Sequence, residues 1–296
     1  MDSGKKSVLL ALSAVLLWST VPTAFKISLS ALDILPMLTI ASLTSTIVLL
    51  IIVTAEHKLP LFASTTGRDL ISSAILGLIN PFLYYLILLR AYQLLPAQVA
   101  QPLNMIWPIV LVFLSVPVLG QKIRKKSFYA LLISFAGVYI ISSQGSPFKK
   151  FHSDLTGVLL ATGSSLFWSV YFIFNVRDKR DESVKLLLNF IFGSVFLVLA
   201  MSITGKWEAV LNVRGILASV YIGIFEMGVT FYLWLKALQT APDTAKVSNL
   251  VYLAPFLSLI FVHYIINEPV YYTTPIGLGM IITGILLQSK RSNMPV

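Results

Sequence analysis

Arg68-Asp-Leu-Ile-Ser-Ser-Ala-Ile-Leu-Gly77 returns 146 residues later as Arg214-Gly-Ile-Leu-Ala-Ser-Val-Tyr-Ile-Gly223. The same spacing aligns Leu89-Arg90-Ala91-Tyr92-Gln93 with Leu235-Lys236-Ala237-Leu238-Gln239, and Pro96 with Pro242. With one residue added, Pro108 meets Pro255 and Gly137 meets Gly284. Nearer the start, Trp18-Ser19 matches Trp168-Ser169. One such match could be chance, but a nearly constant offset along the chain is the mark of a duplication. The two copies are expected at residues 1–145 and 146–296.

The solvent decides what each copy contains. The chain has 296 residues, 57% hydrophobic and 11% charged, with mean hydropathy +0.86. Soluble proteins carry about 25% charged residues, so charge is too scarce to cover a water-facing surface. A helix needs about 20 apolar residues to cross a bilayer. Ten stretches qualify: 7–25, 34–55, 70–89, 91–121, 127–148, 155–176, 186–205, 215–235, 247–267 and 269–289. Only Glu226 interrupts them with a charge. The start of the fourth, Leu94-Leu95-Pro96-Ala97, reads as the turn after span 3. Lys5 and Lys6 before the first run resemble a secretory leader, but the run exceeds 7–15 residues and is expected to stay as span 1.

Ten spans in two copies give five each. Five is odd, so the second copy enters the membrane from the opposite side. The expected fold is an all-α membrane protein of ten transmembrane helices in two inverted five-helix repeats, an architecture used by secondary transporters.

Charge gives the expected orientation. Alternating spans place sixteen of the 22 Lys and Arg on the side of the N-terminus and six on the other. The positive-inside rule then puts both termini in the cytoplasm. The net charge of +10 is thereby used, and nucleic acid is not an expected partner. Cysteine is absent, which excludes disulfides and thiolate chemistry.

Glu226, in the middle of span 8, is the sharpest single residue. An ionised carboxylate there costs about 2.5–3.5 kcal/mol on insertion scales, so it should face protein or water. Gly77, Asn80 and Tyr84 share a helix face in span 3, and the offset maps them to Gly223, Glu226 and Thr230. Glu226 is expected to bind a substrate amine or carry a coupling proton; the structural alternative is a hydrogen-bonded Glu between helices. Gln98, Gln101, Asn104 and Pro108 recur in span 4 beside Trp107, and Lys246, Asn249 and Tyr252 in span 9. Span 6 offers Trp168, Tyr171 and Asn175, and span 1 offers Trp18. A few polar groups on apolar walls suit a small amphipathic solute; interfacial rings and interhelical hydrogen bonds are the alternatives. His263 reads as a helix–helix partner. Spans 1, 3, 4, 6, 8 and 9 are expected to line the site. Spans 5 and 10, thinned by Gly137, Gly277, Gly279 and Gly284, should pack on each other or on a second copy.

Trp18-Ser19 with Lys26, Ala91-Tyr92-Gln93-Leu94-Leu95-Pro96-Ala97, Asn267-Glu268, Gly137 and Gly284 together resemble the drug/metabolite transporter superfamily, in its ten-helix EamA-type branch. The pattern differs at Leu119-Gly120-Gln121, where the family often ends in Glu, and at Ala41-Ser42, where it often has Arg. The resemblance covers the whole chain and implies a carrier of amino acids or related metabolites, often an exporter. No H-E-x-x-H, G-x-S-x-G or P-loop occurs, so neither an enzyme nor an ATP-driven pump is expected, and no cofactor or metal. The expected protein is a secondary transporter working by alternating access in a bacterial or archaeal cytoplasmic membrane. Its partners are a small-molecule substrate and membrane lipid, and it is a monomer or weak homodimer. A channel or facilitator, or a lipid-type flippase, stands as the alternative.

Overall fold

The structure, a computed structural model, describes residues 3–119, 125–146, 153–207, 212–242, 247 and 249–289. Those residues form helices joined by turns and irregular segments. The helices are α1 (Ser3–Leu29), α2 (Ile34–Ala55), α3 (Gly67–Gly77), α4 (Tyr84–Leu94), α5 (Ala97–Asn104), α6 (Trp107–Leu119) and α7 (Lys125–Ser142). Then come α8 (Leu155–Arg177), α9 (Glu182–Thr204), α10 (Val213–Phe225), α11 (Val229–Thr240), α12 (Ala254–Ile266) and α13 (Thr273–Ser289). A wide turn, Leu78–Leu83, joins α3 to α4, and a 3-10 turn, Asn249–Leu253, leads into α12.

Among the described residues, eight helical segments are long and apolar enough to cross a membrane, and two shorter apolar helices, Phe128–Ser142 and Thr273–Leu287, fall on spans 5 and 10. Their surfaces are inverted relative to a soluble protein. Leu16 is 53% exposed, Ile47 59% and Ile203 84%, whereas Ser19, Ser42, Ser45, Ser164 and Ser169 are fully buried. Large apolar groups outside and small hydroxyls inside fit a protein solvated by lipid, where helices associate through small residues and internal hydrogen bonds. The protein is an all-α integral membrane protein with multiple spans.

Contacts gather the chain into two units, Met1–Leu86 with Asp178–Ser258, and Ile87–Arg177 with Leu259–Val296. Each unit thus takes helices from both repeats. In the first, α2 packs on α9 and α10, α3 on α9, and α1 on α10 and α11. A Cβ on Gly77 would strike the carbonyl of Asn189, and one on Gly223 the carbonyl of Ala41. The repeat exchanges Gly77 with Gly223 and the region of Ala41 with that of Asn189, so these are two versions of one contact.

The second unit is centred on the crossing of α7 and α13, with α5 and α6 packed on α8. A Cβ on Gly137 would lie 2.5 Å from the Gly277 carbonyl, and one on Gly284 2.7 Å from the Ala130 carbonyl. Ser134 Oγ stands 3.5 Å from Ile281 O between them. Adding 147 turns Gly137 into Gly284, Ala130 into Gly277 and Ser134 into Ile281. The crossing is therefore two-fold symmetric about the Ser134–Ile281 contact, as inverted repeats require. The expectation that spans 5 and 10 pack on each other holds.

Several charges sit differently from the expectation. Lys26 lies in the last turn of α1, and Lys185, expected in a loop, is 1% exposed in the first turn of α9. Its ammonium donates to the Asp178 carbonyl and pairs with Glu182. Both helices simply run past the end of the apolar stretch. Lys246 and Gln121 lie outside the described residues.

Candidate functional site

Four spans are interrupted, and the interruptions obey the repeat. In span 3, Pro81 has no N–H to give a helix and biases the residue before it toward extended backbone. Asn80 accordingly has φ −145 and ψ 119, and the Tyr84 N–H reaches back five residues to the Ile79 carbonyl. In span 8, α10 ends at Phe225, Glu226 caps it, and Gly228 breaks the path with φ −107 and ψ −93. The Thr230 hydroxyl closes this break by donating to the Phe225 carbonyl. Asn80 and Glu226 are 146 residues apart, the same place in each repeat. In span 4, α6 restarts at Trp107 just before Pro108, and in span 9, α12 restarts at Ala254 just before Pro255. Paired interruptions in the two halves are the strongest sequence-level pointer to a transporter's binding site.

The break corrects the expected face of span 3. One extra residue in the wide turn rotates the helix beyond it by about 100°. Tyr85, rather than Tyr84, therefore reaches span 8. Its hydroxyl donates to Glu226 Oε1 at 2.9 Å. Tyr85 is fully buried, with its ring edge-to-face with Phe25 at 6.3 Å and Tyr84 at 4.8 Å. Glu226 is half-buried and, among the described residues, has no cationic partner. Asn80 is fully buried, and neither polar atom of its amide has a partner among the described residues.

The other expected site residues divide between the units. In the first, Trp18 of α1 packs on Phe231 at 5.9 Å and Trp234 at 5.4 Å. Asn249 is exposed, and Tyr252 lies half-buried on the 3-10 turn that packs on α1. In the second, Trp107 meets Trp168 at 6.4 Å and Phe172 at 5.5 Å, and Trp168 meets Tyr171 at 5.9 Å. The Asn104 amide donates to Ser164 Oγ at 2.8 Å, an interhelical bond, and Ser169 donates to the Trp107 carbonyl at the span 4 break. Gln101 is half-buried on α5.

Gln98 bonds to the start of span 10. Its amide donates to the Pro269 carbonyl and accepts from the Tyr271 N–H and the Thr274 hydroxyl, fixing the start of span 10. Glu268 accepts from the Ala97 N–H through both oxygens and so caps α5. His263 meets the carbonyl of Glu268 in its own segment, rather than another helix of the bundle.

The site residue that sequence reasoning missed is Tyr85. The repeat held a signal for it, because position 85 plus 146 is Phe231, an aromatic at both places. The period of an unbroken helix pointed to Tyr84 instead.

Just past the end of span 2, an ion-pair network ties the end of α2 and the start of α9 to Lys236 of α11. Glu56 pairs with Lys58 and Lys236 at 2.7 Å each, and Lys58 with Asp181 at 2.8 Å. Burial alone would raise the Glu56 pKa, but the ammonium groups of Lys236 and Lys58 and the Ser183 hydroxyl outweigh it and hold the carboxyl at about 2. On the opposite ends of the helices, Lys206 pairs with Asp33. Each set joins loops that the alternating topology places on one side. Among the described residues no group of His, Asp or Glu could hold a metal ion.

The chain is similar to known proteins. The sequence signature of the EamA-like transporter family matches residues 5–143 and again 155–289. An uncharacterised transporter of Bacillus subtilis, YvbV, is 26% identical over 97% of this chain and 92% of its own length. The aromatic amino acid exporter YddG of Ancylobacter novellus is 24% identical over 86% of this chain and 87% of its own. A solved crystal structure superposes with a TM-score of 0.67 at 21% identity, covering 97% of both chains.

Proposed function

The chain belongs to the EamA-like transporter family, and from that premise we propose that it exports an amino acid or a closely related metabolite by alternating access. The observation that carries this reading is the pair of interruptions at Asn80 and Glu226, which sets a carboxylate at a broken helix in the second repeat. Broken helices end in backbone groups with unspent hydrogen-bonding capacity and partial charge, which suit the charged ends of a zwitterion. Glu226 receives the substrate's ammonium group or a coupling proton. The ring of Trp18, packed on Phe231 and Trp234 in the unit that holds Glu226, favours an aromatic or otherwise amphipathic side chain, in keeping with what one distant relative is named for. Repeats at residues 1–145 and 146–296 exchange roles as the two sides open in turn. Both termini face the cytoplasm of a prokaryotic cell, and the protein works as a monomer or weak homodimer.

The test is counterflow in proteoliposomes with labelled amino acids, including phenylalanine, tyrosine and tryptophan, for wild type and Glu226→Gln. Saturable exchange that the substitution abolishes supports the proposal. Flux that rises linearly with concentration points to a channel, and movement of labelled lipid alone to a flippase. Wild-type exchange that survives the substitution intact removes Glu226 from the mechanism.

A further inference from the structure

Glu226 stands where its own helix holds it least. Its N–H closes the last turn of α10 on the Ile222 carbonyl, and the backbone then breaks at Gly228. A carboxylate on such a joint needs an external tether if it is to meet a ligand at a fixed place, because loose geometry weakens recognition. Tyr85 supplies one. Its ring is wedged against Phe25 of α1 and Tyr84, and it is fully buried, so the phenol has little freedom to swing. Its hydroxyl takes Oε1 of Glu226 at 2.9 Å. No described residue is shown donating to Oε2. A carboxylate offers about four lone-pair sites, so capacity for a ligand remains.

The repeat makes the pair more pointed. Adding 146 converts Asn80 to Glu226 and Tyr85 to Phe231. The symmetric counterpart of Tyr85–Glu226 is thus Phe231–Asn80, a ring without a hydroxyl and an amide. Phe231 packs on Trp18 instead, and Asn80 has no hydrogen-bond partner among the described residues. The acid and its donor occur only once in an otherwise duplicated frame. Pure scaffolding would have no need of that asymmetry.

We propose that Tyr85 is the positioning residue of the transport site, holding Glu226 by one oxygen so that the other meets the substrate's ammonium group. This rests on Glu226 being the group that receives that cation. The wide turn of span 3 is what makes it possible, since an unbroken helix would point Tyr84 there.

The experiment is a double-mutant cycle on wild type, Tyr85→Phe, Glu226→Gln and the double variant. Affinity for tritiated L-phenylalanine is read by scintillation proximity in detergent, KM and Vmax by counterflow, and the Glu226 carboxyl stretch by infrared difference spectroscopy. Loss of a hydrogen bond to a charged group is worth about tenfold or more. Tyr85→Phe should raise Kd and KM by about that factor, with a smaller effect on Vmax, and shift the infrared band that disappears in Glu226→Gln. In the Glu226→Gln background it should change nothing further, because a residue acting through another loses its effect with it. The proposal is overturned if Glu226→Gln weakens binding while Tyr85→Phe leaves affinity and band unchanged, or if the two effects simply add. If Glu226→Gln binds and transports normally, the functional reading fails and takes this one with it. Should Tyr85→Phe not give monodisperse protein, Tyr85→Met takes its place in the cycle.

Discussion

Glu56 and Lys236 meet at 2.7 Å across 180 residues of sequence, tying the end of α2 to the second half of α11. Lys58, Asp181 and Ser183 extend the contact to the start of α9. With its pKa lowered from 4.5 to about 2, Glu56 stabilises the folded state fully above pH 4.5, and that contribution fades as pH falls through 2. The whole shift is worth about 3 kcal/mol, and screening at the membrane edge reduces it to about 1–2 kcal/mol. Glu56→Gln should therefore lower the unfolding midpoint in detergent at pH 7, and the gap from wild type should shrink between pH 4.5 and 2. A gap that is constant with pH would mean that Glu56 contributes through packing alone.

Glycine substitutions should separate contact from empty space. Gly137→Ala places a methyl 2.5 Å from a rigid backbone carbonyl, whereas nothing lies within 4 Å of the same methyl on Gly279. Overpacking of this kind costs about 1–3 kcal/mol, so Gly137→Ala should unfold earlier in detergent. Gly279→Ala should match wild type or exceed it slightly. Equal midpoints for the two variants would contradict the close crossing of α7 and α13.

Gln98→Leu should weaken the second unit. It removes the acceptor for the Tyr271 N–H and the Thr274 hydroxyl and the donor to Pro269. An orphaned buried donor costs about 1–3 kcal/mol, so the loss should reach about 2 kcal/mol with KM for the transported solute little changed. A rise in KM at unchanged stability would instead make Gln98 a binding residue.

Asn80→Ala should do the reverse. Both amide atoms of Asn80 are buried without partners among the described residues, which costs about 1–3 kcal/mol in a scaffold. Alanine also fits φ −145 and ψ 119 without strain. The variant should unfold at an equal or higher temperature while counterflow falls at least tenfold, the trade expected where polarity is kept for function. Unchanged flux would assign the amide to structure.

The order of the helices was open to sequence reading because it depends on local chemistry. Apolar runs such as 34–55 must be helical to satisfy their own backbone in lipid, and α2 starts and stops where that run does. The offset of 146 likewise made Asn80 and Glu226 equivalent before any coordinates, since a duplicated chain keeps its spacing. Spacing along the chain sorts the expected site residues to spans but does not choose their neighbours. Gln98 looked like one more polar group on the face of Gln101 and Asn104, yet it holds the turn before span 10.

The sequence by itself determined the solvent, the ten spans, the inverted duplication and the one charge inside the apolar runs, since each follows from composition and spacing along the chain. Only the tertiary structure decided that Tyr85 holds Glu226 and that Gly137 lies against Gly277. The first depends on a wide turn that adds one residue and rotates the helix beyond it. The second depends on two distant helices approaching to backbone contact. Neither rotation nor approach is encoded in periodicity, because both arise where one segment meets another.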